Sequence, residues 1–564
     1  MDKPPSAVET NKLGSRYLRG TIAEELENNE VLFSAPATGV LKFHGIYQQD
    51  DRDLRKSGAK QYSAMVRVGV PGGVLTADQY LTLDRLADLG DGSLRITTRQ
   101  DIQYHHVPKA RLRELIRSLN ESYLGTLAAC GDVVRNVISC PAPFENEQRK
   151  ELQPVVKFVS KSLKPKTTAY YEIWLDGERA VTAEEPEEVE PLYGTAYLPR
   201  KFKVGFAFPG DNTTDIYAND VGIVARYENG KLAGFEILAG GGMGQSAGVK
   251  QSHPRLADPI CSVGPSSQEL LEVVSAIVSI HRDFGNRSNR KLARLKYVID
   301  EWGIAKFKQE LEKRVGRQLP PADLSPWRRA DDYLGWHKQK TGEDGSPLWF
   351  VGVRVISGRV RDFDEGSRVR TALRTIVERY RLEVRLTCQQ NLYLSGIRDE
   401  DREVIACLLV EHGITEPARL PPVLRHAISC PALPTCGLAL TESERIMPEV
   451  VAEIQAELDA IGLSTDIIHL RTSGCPNGCS RPYTAEIGIV GASVNLYTIY
   501  LGASPLGTRM GTVFAQNVKR EELASRLRPV FELYREERQK GESFGDFCHR
   551  VGAEALRQPV LTAA

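Results

Sequence analysis

Four cysteines, Cys430, Cys436, Cys475 and Cys479, stand as C-x5-C followed by C-x3-C, each pair inside a loop rich in proline and glycine. Thiolates grouped in this way bind metal. The loops read S-C-P-A-L-P-T-C-G (Ser429 to Gly437) and S-G-C-P-N-G-C-S-R-P (Ser473 to Pro482). Proline removes backbone donors and glycine permits positive φ, so the remaining N–H groups can turn towards sulfur, as they do around iron–sulfur clusters. The expectation is a four-iron, four-sulfur cluster held by all four thiolates. Zinc is the plainer alternative: structural zinc prefers C-x2-4-C pairs and often recruits histidine, and His426 and His469 lie close by, outside the loops. Four unrelated core thiols are a third reading. A three-cysteine radical motif is excluded, because Pro482 stands where its last ligand would fall.

Cations form the second set of residues that could do chemistry. Lys201 and Lys203 belong to Y-L-P-R-K-F-K (Tyr197 to Lys203), Arg67 to M-V-R-V-G-V-P-G-G and Arg135 to V-V-R-N-V. On a strand, Lys201 and Lys203 would share one face and Phe202 the other. Two ammonium groups on one face repel unless an anion sits between them. Taken singly, each is an ordinary solvated charge in a chain that is 26% charged.

These residues are carried by an internal repeat. A gapless shift of 290 positions lays Leu94 to Gln100 (L-R-I-T-T-R-Q) on Val384 to Gln390 (V-R-L-T-C-Q-Q), and V-R-N-V-I-S-C-P-A (Val134 to Ala142) on L-R-H-A-I-S-C-P-A (Leu424 to Ala432). Each copy begins with an apolar strand (Tyr62 to Val70; Leu348 to Ile356) and passes a glycine turn (Pro71-Gly72-Gly73; Ser357-Gly358). A helix-period segment and the R-x-T strand follow, a βαβ-type module present twice. Longer mixed regions come after, from Tyr170 to about Asp300 and from Ile467 to Val490, with helices over Glu269 to Arg282 and Val450 to Ile461. The fold class is α/β (α+β), with two pseudo-twofold halves and a site where they face each other. Cys140 is the image of Cys430 and nothing in the first half matches the other three, so only the second half can hold a cluster.

Composition bounds the rest. The 564 residues carry 73 basic and 73 acidic side chains, a balance that implies neither nucleic-acid nor membrane binding. Met1 to Lys12 lacks the apolar segment of a secretion signal and no 18-residue apolar run occurs, so the expected location is cytoplasmic. The other six cysteines, Cys130, Cys140, Cys261, Cys388, Cys407 and Cys548, are expected to be buried small hydrophobes. No G-x-G-x-x-G after a strand offers a nucleotide site.

Several motifs together are specific. Tyr17 to Ala23 (Y-L-R-G-T-I-A), Phe43 to Asp53 (F-H-G-I-Y-Q-Q-D-D-R-D), Thr98-Arg99-Gln100, Tyr197 to Lys203, Gly285-Asn286-Arg287 and both cysteine loops resemble the assimilatory sulfite reductase haem-protein family, from near residue 17 to about residue 550. The resemblance implies an arm over 1–60, ferredoxin-like modules over 61–145 and 341–422, and larger mixed domains over 146–340 and 423–564. It implies a sirohaem bridged to the four-iron cluster, with Cys430, Cys436, Cys475 and Cys479 as cluster ligands and Cys479 also axial to sirohaem iron. The implied reaction is six-electron reduction of sulfite to sulfide for cysteine biosynthesis. Arg67, Arg135, Lys201 and Lys203 would hold the oxyanion, with lysine the readier proton source. The eight carboxylates of sirohaem would be met by Arg95, Arg99, Gln103, Arg290 and Arg294, with the Gly240-Gly241-Gly242 turn adding hydrogen bonds. Asn477 and Gly478 would shape the loop between ligands. Gln61 stands where the family often places a base. Electrons would come from an NADPH-dependent FAD/FMN flavoprotein subunit or, as runner-up, from ferredoxin. An assimilatory nitrite reductase is the alternative within the family, and an iron–sulfur electron carrier or zinc scaffold the alternative outside it.

Overall fold

The computed structural model describes residues 4–562 except 59, 146, 168, 170–173, 176–177, 180–189 and 343–344. The first three residues of the expected arm, and Tyr170 where the first mixed region was to begin, lie outside the described residues.

Each βαβ-type module is a split one. In the first, strands Tyr62–Val68 and Leu94–Ile96 both run antiparallel to Ile102–Val107, which lies between them. The connecting helix Ala77–Leu86 starts where the Thr76 hydroxyl and the Gln79 amide cap each other's backbone N–H, and it buries Tyr80, Leu83 and Leu86. The second module repeats the plan with Pro347–Val353, helix Val369–Tyr380, Glu383–Leu386 and Leu392–Arg398.

The modules also exchange strands. Val74–Leu75 of the first pairs with Glu383–Leu386 of the second, and Arg359–Val360 of the second pairs with Leu94–Ile96 of the first. Left-handed turns make this crossing possible: φ is 75° at Gly73 and 71° at Gly358. A Cβ there would lie 2.4 Å from the Leu386 carbonyl oxygen and 2.2 Å from that of Ile96, so only glycine fits. Val66, Leu83 and Ile102 accordingly share one core with Val353, Leu373 and Leu394.

The larger domains follow one topology. Val204–Ala207, Val221–Glu228, Lys231–Ala239 and Asp258–Val263 form one sheet, packed against helix Ser267–Phe284. Ile428–Ser429, Leu470–Ser473, Ile487–Ser493, Leu496–Leu501 and Thr512–Lys519 form the other, packed against helix Met447–Ala460. A parallel bridge between Ile138 and Gly205 stands where Ile428–Ser429 pairs with Leu470–Ser473. The repeat reaches to hydrogen bonds. Gln100 bonds both backbone groups of Ser139, each at 2.9 Å, and Gln390 bonds those of Ser429 at 3.2 and 2.9 Å. Among the described residues no helix is long and apolar enough to cross a membrane.

Candidate functional site

Strands Ile428–Ser429 and Leu470–Ser473 are parallel neighbours, so the loops that follow them leave the same end of the sheet and bring two cysteines each to one place. Sulfur is met by backbone and amide donors. Gly474 N lies 3.3 Å from Cys430 Sγ and Asn477 Nδ2 3.4 Å from Cys475 Sγ, while the Leu438 and Ala439 N–H groups reach Cys436. Gly474 allows the loops to close, since a Cβ there would sit 2.5 Å from the Thr441 carbonyl oxygen. From outside, Arg52 donates to the Ala439 carbonyl at 2.7 Å, so the amino-terminal arm clasps the first loop.

Burial, and then the neighbouring thiols led by Cys479, push Cys430 up to about 12 and Cys475 up to about 11. Four thiolates can coexist here only around a compensating cationic centre. Its size is bounded as well. Tetrahedral zinc would hold sulfurs about 3.8 Å apart, whereas among the described residues no three of these thiols fall within 4.8 Å of one another. The thiols as they stand are therefore not gathered for one zinc ion.

The expected cations lie within electrostatic reach of Cys479. Its charge acts on Arg67, Lys201 and Lys203, and Arg135 and Arg99 act on the two lysines in turn. Lys201 and Lys203 keep partial exposure although protein surrounds them. Phe202, fully buried, points the other way. The stretch to Lys203 is not the strand expected of it; Phe202 makes one bridge to Val134, and the strand begins at Val204.

Neither ammonium has a hydrogen bond or ion pair among the described residues. Burial, then Arg200, lowers Lys201 to about 7; burial, then Lys201, lowers Lys203 well below its ordinary value. Arg135 is aimed by bonds to the Gly131 and Ala129 carbonyls, both at 2.9 Å, and Arg67 by Gln103, whose amide oxygen accepts from its Nη2 at 2.6 Å. Asp101 lies 4.0 Å from Arg67, and Asp220 accepts from the Lys203 backbone N–H at 2.8 Å; burial pushes Asp101 up to about 6 against the pull of Arg67 and Arg99. Arg99 donates through Nη1 to Asn219 Oδ1 at 2.8 Å and through Nη2 to the Asn136 and Val204 carbonyls at 2.6 and 2.9 Å, and keeps a buried Nε–H without a partner among the described residues. A surplus of enclosed positive charge calls for anions, and a polycarboxylate ring with a small oxyanion fits it.

Other expected contacts are spent inside the protein. Arg95 pairs with Glu444 at 3.0 Å and donates to the Ser429 carbonyl, directly beneath Cys430. Arg290 forks onto Asp132 at 2.6 and 2.8 Å, and Arg294 onto Asp220 at 3.1 and 2.7 Å. The N–H groups of Gly240 and Gly242 go to backbone carbonyls, and a Cβ at Gly242 would meet the Arg294 guanidinium at 2.7 Å. The glycine triplet therefore serves close packing. Cys388 packs in the interior; Cys407 is exposed, a correction explained by its place on the outer face of helix Arg402–Glu411.

Comparison with known proteins agrees with this construction. The pattern of the nitrite and sulphite reductase 4Fe-4S domain matches residues 157–319 and 422–563, and that of the nitrite/sulfite reductase ferredoxin-like half domain matches 57–122 and 338–412. The chain belongs to the nitrite and sulphite reductase family. It is 44% identical to the sulfite reductase [NADPH] hemoprotein beta-component of a Paenibacillus species, covering 97% of this chain and 96% of that one. It is 42% identical to the sulfite reductase [ferredoxin] of Synechococcus elongatus, covering 98% and 90%. The solved structure of the Mycobacterium tuberculosis NirA protein superposes with a TM-score of 0.78 at 26% identity, covering 98% of each chain.

Within this family fold, sequence reasoning missed Arg200, Asp101 and Lys296. Lys296, buried, donates to the Gly242 and Gly244 carbonyls at 3.1 and 2.8 Å, and the neighbouring Gln245 N bonds the Pro476 carbonyl at 2.9 Å. A first-half loop is thereby fixed over the second cysteine loop. The lysine shifts have a stability consequence. Lys201 binds its proton more weakly folded than unfolded, so between about 7 and the ordinary lysine value the unfolded chain holds more protons. Stability of the cofactor-free protein therefore rises with pH across that window. Urea midpoints at pH 7 and pH 9 should show the increase, and Lys201→Met should reduce it, Lys203 and Lys296 being lowered as well; equal slopes in both proteins would refute the assignment.

Proposed function

We propose that the protein reduces sulfite to sulfide by six electrons with a sirohaem and a four-iron cluster. Cys430, Cys436, Cys475 and Cys479 would hold the cluster, and Cys479 would also serve the sirohaem. The observation that carries the reading is the pair of unpartnered, enclosed ammonium groups, Lys201 and Lys203, within the field of Cys479. When bound, the sirohaem and cluster supply single electrons to a coordinated anion. The chain's own residues do the rest. Arg67, held by Gln103, and Arg135, held by two carbonyls, present fixed N–H forks to anionic oxygens. Lys201 and Lys203 give up protons readily because crowding and burial weaken their hold, which suits oxygen departing as water. Arg99, whose Nε–H alone is unpartnered among the described residues, would meet a cofactor carboxylate there; Gln103, Arg95, Arg290 and Arg294 would act behind it, as positioning residues.

Sulfite is favoured over nitrite by the names of the relatives that share 42 and 44% identity. For the electron source, the NADPH-linked relative supports an FAD/FMN flavoprotein subunit, and the Synechococcus relative supports ferredoxin as the second reading. The purified protein should show Soret and chlorin-type bands, and reduce sulfite with reduced methyl viologen. It should not oxidise NADPH alone, since hydride must first be split into single electrons by a flavin. Adding the diflavin subunit should restore NADPH dependence. Turnover with ferredoxin but none with the flavoprotein would overturn the NADPH reading, and absence of the chlorin bands the reaction itself.

A further inference from the structure

A second polar cluster lies outside the anion pocket. Asp331 belongs to the segment joining the halves, His426 ends the short helix Pro422–His426, His469 precedes Leu470–Ser473, and Glu486 precedes Ile487–Ser493. His469 Nε2 is 2.5 Å from Asp331 Oδ1, and His426 Nδ1 is 3.3 Å from the same oxygen. Among the described residues this is the one place where three such ligand atoms lie within 4.8 Å of one another.

Asp331 and His469 pair with each other, and the surroundings fix them in place. Glu486, fully buried, accepts from His469 Nδ1 at 2.8 Å and from its backbone N–H at 2.9 Å, while its other oxygen accepts from Gly545 N at 2.8 Å. Both ring nitrogens of His469 face carboxylates, Glu486 at Nδ1 and Asp331 at Nε2, so each carries a proton here; a metal ion would displace the one at Nε2 and leave Glu486 as the carboxylate that backs the ligand. His426 Nε2 is buried without a partner, so that ring's polar contact is the long approach to Asp331. The pseudo-twofold sharpens the contrast. Glu486 holds the His469 backbone as Asp220 holds that of Lys203, at 2.8 Å, and His426 is the 290-residue image of Asn136. Where the first half sets an ammonium for anions, the second sets imidazoles and a carboxylate.

We propose that Asp331, His426 and His469 bind one divalent transition-metal ion of the zinc class, with Glu486 positioning His469. Bonds of about 2.0–2.1 Å in a tetrahedron place ligand atoms about 3.3 Å apart. The His426–Asp331 spacing already meets this, and the His469–Asp331 spacing reaches it by a small swing of the Asp331 carboxylate, which is 33% exposed. The exposed side leaves a fourth position for water. Such an ion ties the joining segment to both strands that lead into the cysteine loops. It stands independently of the sulfite reading.

The test uses the full-length protein with its cofactors in place. After dialysis against a chelator, Zn2+ is titrated in competition with a chromophoric chelator, and the zinc X-ray absorption edge is recorded. One Zn2+ per chain is expected, with nitrogen and oxygen neighbours at about 2.0–2.1 Å and no sulfur at about 2.3 Å. His469→Gln and Asp331→Asn should each weaken binding at least a hundredfold with iron and sulfide content retained, and Glu486→Gln should weaken it about 10–100-fold. No bound zinc, sulfur neighbours, or unchanged affinity in both ligand variants would overturn the site. If those variants fail to assemble their cofactors, the edge spectrum of the unaltered protein decides.

Discussion

Replacing Cys436 or Cys475 with serine should abolish assembly of the iron–sulfur cluster, taking iron and acid-labile sulfide from the full complement to near zero. Serine keeps the size of the side chain but not a thiolate, and the two loops are closed by few contacts of their own. Gly474 N and Asn477 Nδ2 donate to sulfur, and Leu440 N and Thr441 N to the Gly474 carbonyl. Without the metal, burial and mutual repulsion leave the remaining thiols protonated, Cys430 up to about 12, so a partial cluster gains little from three ligands. The loops, and Arg52 with them, should loosen. Iron and sulfide assays measure the first effect, and protease susceptibility near Leu438, which is exposed, measures the second. Full iron and sulfide in both variants would remove these cysteines from the site.

The cysteine loops are legible in sequence because their chemistry is local: proline, glycine and thiol within a few residues dictate both conformation and ligand. The repeat is legible for a related reason, since a gapless shift keeps Gln100 over Gln390 and Ser139 over Ser429, the pairs that make the same clamp. What escaped lies in long-range pairing. Arg95, Arg290 and Arg294 look alike in sequence to Lys201 and Lys203, yet Glu444, Asp132 and Asp220 claim the arginines from 349, 158 and 74 residues away. No spacing rule encodes those partners. The exchanged strands Val74–Leu75 and Arg359–Val360 are two residues each, too short for any periodicity to reveal. Lys203 on a strand face was a sound expectation of alternation, but one bridge at Phe202 suffices to produce it.

The difference between a paired and an unpaired cation governs the last expected result. Lys203→Met should lower sulfite turnover by about ten- to a thousandfold, or about 1.4–4 kcal/mol, the range for losing one preorganised charge beside a reacting anion. Arg135→Ser should fall in the same range. Stability separates the two. Arg135 bonds the Gly131 and Ala129 carbonyls at 2.9 Å, so its loss leaves buried acceptors without partners and lowers the unfolding midpoint. Lys203 has no carboxylate partner among the described residues and is crowded by Lys201, Arg99 and Arg294. Removing it relieves repulsion, and the cofactor-free protein should unfold at an equal or higher temperature, the trade expected of a residue held for chemistry at a cost to the fold. A structural lysine would behave in the opposite way, losing stability with little change in turnover. Steady-state turnover with reduced methyl viologen and thermal unfolding of the cofactor-free variants decide between them, and unaltered turnover in both variants would exclude the two side chains from the reaction.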